Sequence, residues 1–223
     1  MQRAISAQVQ DTERVNETRE RIIRAAIVVF RRKGFHAATT RSIANEAGVT
    51  QSNIYNYVRS KDDILYLVCE HLVGLYSASV EEVMRSQADP YERLIGALKA
   101  IMAVMFNHRE ELVLLYNEVH ALDKPDRKLV LKAVARFIRQ FQQLVEDYAA
   151  AGGPLHIGNT RIAANLLSFV PAIVALRWWD LSLHSDRPEA EQAIFDFILA
   201  GLGIRGRARD PNEADPSNTR PQP

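Results

Sequence analysis

Between Arg41 and Lys61 the sequence RSIANEAGVTQSNIYNYVRSK sets amide, hydroxyl and phenol side chains at close spacing. Gln and Asn amides can pair through two hydrogen bonds with adenine edges, and a Ser hydroxyl can donate or accept there. Gln51, Ser52, Asn53 and Asn56 supply those groups. Tyr55 and Tyr57 add a phenol for phosphate and a ring for a thymine methyl or a sugar. Arg41 can reach a base edge or a phosphate, and Lys61 is placed to clamp a phosphate. This is the chemistry of recognition. The sequence has no G-x-S-x-G, H-E-x-x-H, phosphate loop or dinucleotide fingerprint, so an enzyme is not expected.

To present these groups the chain must fold as two short helices around a tight turn. Thr40 reads as an N-cap for a helix from Arg41 to Ala47, with Ile43, Ala44 and Ala47 inward. Gly48 permits the left-handed backbone of the turn. Thr50 caps a second helix from Gln51 to Tyr57, with Ile54 and Val58 inward. Ser60 and Asp63 have capping-box spacing at the start of a long third helix. Such a pair is a helix-turn-helix when its second helix enters the DNA major groove. The bare pattern also suits two ordinary helices with solvated faces; the coincidence of caps, polar surface and basic flank favours DNA.

Charge supports that reading. Residues 1–61 hold eleven Lys and Arg against five Asp and Glu, a net of +6, whereas residues 62–223 carry 17 against 22, a net of −5. A basic head on an acidic body suits a polyanionic partner. The single cysteine, Cys69, excludes an internal disulfide framework. The polar first twenty residues lack a signal core, and the near-apolar run from Ala163 to Leu176 is shorter than the ~20 residues of a membrane span. A cytoplasmic protein without membrane association is expected. His71, His108, His120, His156 and His184 lack i,i+4 ligand spacing, so neither metal nor other cofactor is expected.

Helical periodicity extends along nearly the whole chain, giving an all-α expectation. The expected divisions are a loose arm (1–15), a DNA-binding head (16–61), a helical body (62–204) and a disordered tail (205–223). Ile22, Ala26, Val29 and Phe30 stripe a first helix over 16–33 that Gly34 stops. Body helices are expected at 61–87, 90–106, 108–122, 125–151, 160–183 and 188–203, jointed at Asn107, Asp123–Pro125, Gly152–Pro154 and Asp186–Pro188.

The stretch IIRAAIVVFRRKGFHAATTRSIANEAGVTQSNIYNYVRSKDDIL resembles the DNA-binding domain of TetR-type regulators. The likeness rests on F-x-x-x-G-F, TT-R-x-IA-x-x-AGV, I-Y-x-Y-V and S-K-x-x-I-L, in order and without gaps. It implies that Thr40, Arg41, Thr50, Gln51, Ser52, Asn53, Tyr55, Asn56, Tyr57 and Lys61 stand in or beside the DNA-contact surface. Many members have Gly where Asn53 stands and Phe where Val58 stands. The longer polar Asn53 can add a base contact and alter the operator read.

The resemblance also implies a homodimer on a palindromic double-stranded operator, with a small-molecule effector held in the body. Leu166, Phe169, Val170 and Ile173, with Ile194, Phe195, Ile198 and Leu202, make the last two helices apolar on more than one face, as a dimer interface requires. A monomer enclosing its central helix is the alternative. Phe106, Tyr116, Asn117, Glu118, His120, Arg177, Trp178 and Trp179 are the candidate effector contacts, combining aromatic walls with few polar groups. The body is loosely similar to acyl-CoA-responsive members through NEVHAL, KLVLKAVARFIRQF and LRWWDLS; Lys128, Lys132, Arg136 and Arg139 would then face CoA phosphates. A competing reading is a DNA-bound adaptor that recruits a protein partner and senses no metabolite.

Overall fold

A computed structural model describes the backbone of residues 12–204 and the side chains of residues 16–204. Among the described residues the fold is all α, with ten helices and no strand. The expected tail, and the expected arm up to residue 11, lie outside them. Helix α1 (Thr12–Ala37) starts inside the expected arm and is broken at Gly34, whose φ of 74° leaves the helical region. Then come α2 (Thr40–Ala47) and the single turn α3 (Gln51–Ile54). The body comprises α4 (Lys61–Met84), α5 (Pro90–Asn107), α6 (Arg109–Glu118), α7 (Lys124–Ala150), α8 (Thr160–Phe169), α9 (Ile173–Leu181) and α10 (Arg187–Leu202).

The helix starts follow one chemical rule. Asp89, Asp123 and Asp186 each accept from the backbone N–H three residues on, at 3.0, 2.8 and 2.9 Å, and each is followed by Pro in the first turn. The carboxylate satisfies an orphan donor and Pro removes another. Ser60 caps α4 in the same way at 3.1 Å. The single helix expected over 160–183 is interrupted by a 3-10 turn from Val170 to Ala172, because Pro171 has no N–H for the α ladder.

Helix α4 joins head and body, packing on α1, α5, α6 and α7. Its Ile64, Leu65, Val68, Cys69 and Leu72 are fully buried. Each buried Leu or Ile contributes about 1.5–3 kcal/mol, so the head is anchored to the body by a shared core. By length and hydropathy alone, Lys61–Met84 and Thr160–Leu181 match a membrane span. The first is enclosed by four helices, and the second packs on α7 while leaving one apolar face outward.

Candidate functional site

The cap of α2 is Thr39, not Thr40. Thr39 Oγ1 accepts from Ser42 N–H, and Ser42 Oγ accepts from Thr39 N–H, both at 3.1 Å. This reciprocal box leaves Thr40 inside the first turn, where its hydroxyl lies 3.0 Å from the Tyr55 phenol. Gly48 ends α2 at φ 65°, a region costly to any residue with a Cβ. The sequence reading missed Arg21, which clamps this turn by donating from Nη2 to the Ala47 and Gly48 carbonyls at 2.7 and 3.3 Å. It looked like one of several arginines on a polar helix face, and nothing local marks a contact 26 positions away.

Thr50 caps α3 as expected, accepting from Asn53 N–H at 3.1 Å. The second helix is shorter than the expected Gln51–Tyr57: one α turn, continued by tighter bonds from Asn56 N–H to Asn53 O and Tyr57 N–H to Ile54 O. Arg41, Thr50, Gln51, Ser52 and Tyr55 are exposed, while Thr40, Asn53 and Asn56 are half-buried. Asn56 Nδ2 donates to Asn53 Oδ1 at 3.1 Å, so the two amides orient each other. Tyr57 is a correction: it is 7% exposed within the core cluster and offers no free ring to DNA.

Lys61 is a second correction. Its ammonium donates to the carbonyls of Phe35, His36 and Ala38 at 2.9, 3.1 and 3.0 Å and lies 4.5 Å from the centre of the Phe35 ring. The chain leaves its helical path at Gly34, freeing these carbonyls, and the three donors of an ammonium match them. Lys61 therefore holds the end of α1 and has no donor left for phosphate.

In the body, a cavity of about 520 Å³ lies among α4, α5, α6, α7 and α8. Tyr116 and His120, two of the candidate effector contacts, line it. Tyr76, Met105, Val130, Val134, Phe137, Asn165 and Ser168 line it too and were missed: the apolar and aromatic ones, on α4, α5 and α7, read as ordinary core, and nothing local sets Asn165 and Ser168 apart on α8. Burial pushes the Tyr76 and Tyr116 phenols up, keeping both neutral hydrogen-bonding groups in a largely apolar wall that also holds His120, Asn165 and Ser168. Leu166 and Phe169, expected only at a dimer interface, also line the cavity.

Several expected effector contacts lie elsewhere. Phe106 is buried edge-to-face against Trp178 at 5.5 Å, with the Arg187 guanidinium 4.9 Å from its centre, so both rings are packing groups. Arg177 and Trp179 are exposed at the surface of α9. Asn117 and Glu118 lie on the other side of α6, because successive helical residues turn through about 100°. With Arg31, Gly34 and Glu110 they line an open groove against α1. There Glu118 Oε1 accepts from Phe35 N–H at 3.4 Å, and Arg31 pairs with Glu110. Of the expected interface residues, Ile198 and Leu202 are buried within the chain and are corrected to core. Val170, Ile194 and Phe195 are half-buried, while Leu166, Phe169 and Ile173 are exposed.

Lys128, Lys132, Arg136 and Arg139 are exposed on α7. Lys128 and Lys132 flank Leu131, which lines the cavity. No group of three or more His, Cys, Asp or Glu suited to a metal occurs among the described residues.

Residues 22–66 match the family model described as bacterial regulatory proteins, tetR family. Residues 87–202 match the tetracyclin repressor-like C-terminal domain. The chain is 26% identical over 215 residues to the HTH-type transcriptional regulator HbdR of Aromatoleum sp. (strain CIB), covering 95% of this chain and 94% of that protein. Its fold is similar to a tetR-family regulatory protein from Rhodococcus RHA1, with TM-score 0.74, 22% identity, and coverage of 85% of this chain and 99% of that one. It is also similar to AibR, solved with isovaleryl coenzyme A and operator DNA, with TM-score 0.66, 13% identity, and coverage of 84% and 100%. The helix-turn-helix head, the helical body and both family matches lead to one conclusion: this chain belongs to the TetR family, as a DNA-binding transcriptional regulator and not an enzyme.

Proposed function

We propose that the protein is a cytoplasmic repressor that binds a palindromic operator as a homodimer and is released by an acyl-CoA effector. Arg41, Gln51, Ser52, Asn53 and Tyr55 read the operator, with Thr40, Thr50 and Asn56 holding their geometry. The boundary between head and body falls at the start of α4. The observation that carries the reading is the two-sided use of α6. Tyr116, with His120 in the 3-10 turn that follows the helix, faces the cavity, while Glu118 on the opposite side bonds the backbone of Phe35 in the head. An occupant that shifts α6 therefore acts on the head.

The apolar cavity suits an acyl chain, and the exposed Lys128 and Lys132 beside Leu131 suit the phosphates of its carrier. AibR, of similar fold, was solved with a coenzyme A thioester. Release is a population shift: two heads about 34–36 Å apart fit successive major grooves, and a ligand that prefers another spacing draws the dimer off DNA. An adaptor that senses no metabolite needs no such cavity.

The test is fluorescence anisotropy on the DNA flanking the protein's own gene at two salt concentrations, with and without decanoyl-CoA. The expected result is salt-sensitive binding that decanoyl-CoA weakens at least tenfold. Absence of any binding at low salt sinks the repressor reading, and binding indifferent to acyl-CoA thioesters of every chain length sinks the effector class.

A further inference from the structure

We propose that the groove between α1 and α6 is a second ligand site, which takes an organic monocation with a compact apolar body. It lies on the opposite side of α6 from the effector cavity and does not depend on it. The groove is open and holds about 700 Å³, within the size range of small-molecule sites. Val28 on α1 and Val113 and Leu114 on α6 give it an apolar floor, and Val28 is 40% exposed. Gly34 keeps one end wide, since a Cβ there would meet nothing within 4 Å.

Its charges select the ligand. Arg31, Arg32, Glu110 and Glu118 are the charged groups of the lining. Arg31 pairs with Glu110, and Arg32 donates at 2.6 Å to Glu46, which is not part of the groove. Glu118 is left over. It is half-buried, its Oε1 accepts from Phe35 N–H at 3.4 Å, and among the described residues no Lys, Arg or His forms an ion pair with it. A carboxylate drawn out of water without a counter-ion is costly. Its charge is felt inside the protein: burial, with Glu118 adding, pushes the thiol of Cys69 up to about 12.

An ammonium placed on Glu118 Oε2 supplies the missing charge. The exposed Asn117 offers its amide oxygen to a second N–H, and the apolar body of the ligand rests on Val28 and Val113. An anion would meet Glu118 while both arginines are already engaged. The two walls are the first helix of the head and α6 of the body, so an occupant ties one to the other beside the bond from Phe35 to Glu118.

The test is calorimetric titration of the full-length chain near neutral pH with 4-phenylbutylamine, which is then protonated. Two controls share its skeleton: neutral 4-phenylbutanol and anionic 4-phenylbutyrate. The amine is expected to bind saturably and at least tenfold more tightly than either control. Glu118→Gln keeps an acceptor for Phe35 N–H but removes the charge, and should weaken the amine at least tenfold. Val28→Trp, at an exposed position, fills the floor and should weaken it as much; this variant decides the matter should Glu118→Gln fail to fold. Val134→Trp, in the effector cavity, should leave the amine's affinity as it is. No saturable binding of the amine at millimolar concentration, or binding that the alcohol matches, overturns the proposal. So does binding that survives either groove variant in folded form, or that Val134→Trp removes. At saturating amine, amide exchange at Phe35 should slow at least threefold, and unchanged exchange overturns the tie between the two walls. Neither operator DNA nor decanoyl-CoA enters these measurements, so their outcome is separate from that of the repressor reading.

Discussion

The Glu118 carboxylate accepts a hydrogen bond from the backbone N–H of Phe35 across 83 positions of sequence. The same Phe35 gives its carbonyl to Lys61. The corner that Gly34 makes near the end of α1 is therefore held from α6 by one charged group and from α4 by another. Glu118 follows Tyr116 by two residues, so the cavity wall and the grip on the head are parts of one short helix.

Replacing Glu118 with Ala should loosen this corner without dismantling the body. Amide exchange at Phe35 is expected to accelerate at least tenfold, and an effector bound in the cavity should no longer change it. Hydrogen exchange read by NMR or mass spectrometry checks this. Unchanged protection at Phe35 would show that the contact transmits nothing.

Lys61→Met should destabilise the protein by about 1.5–3 kcal/mol, the range for hydrogen bonds to a charged group. Removing a lysine that neutralises phosphate would shift the slope of log K against log salt by about 0.9. Because the three donors of Lys61 are committed to Phe35, His36 and Ala38, the slope is expected to stay put. Thermal melts and a salt titration separate the two roles.

Gln51→Ala should cost about 1–3 kcal/mol on the operator, the value of a good two-bond base contact, and almost nothing on unrelated DNA. Gly48→Ala should weaken binding to both, since a left-handed backbone with a Cβ costs about 1–2 kcal/mol and would shift α3 as a unit. Parallel titrations on the two DNAs distinguish loss of reading from loss of presentation.

Val134→Trp places a large ring in the cavity on the partly buried face of α7. Overpacking is expected to cost about 1–3 kcal/mol of stability. Operator binding should survive while release by decanoyl-CoA is lost, giving a super-repressor. Retained release in anisotropy would place the effector elsewhere.

The raised pKa of Cys69 carries a sign. Its unfolded value is 9.0 and its folded value about 12, so the folded state holds its proton longer. The associated stability is intact below pH 9 and declines as pH rises from 9 towards 12. Urea midpoints at pH 8 and pH 10.5 should differ, and by less in Cys69→Ala; equal differences in both chains would trace the loss to other groups.

What lies within a few bonds of its cause was legible in the sequence. Asp-Pro starts, the Gly48 turn, the Thr50 cap and the all-α character follow from hydrogen bonds and backbone preferences local to each residue, and the exposed Gln51, Ser52 and Tyr55 follow from helical period. Thr39 displaced Thr40 as a cap because two adjacent threonines are locally equivalent until Ser42 and Tyr55 choose between them. The roles of Arg21, Lys61 and Glu118 were set by long-range packing, since each long side chain spends its charge on backbone groups 23 to 83 positions away. The cavity was decided there too. Tyr116 and Glu118 differ by two positions yet face opposite sides of α6, and only the placing of α7 and α8 across a gap from the Tyr116 side leaves that side hollow.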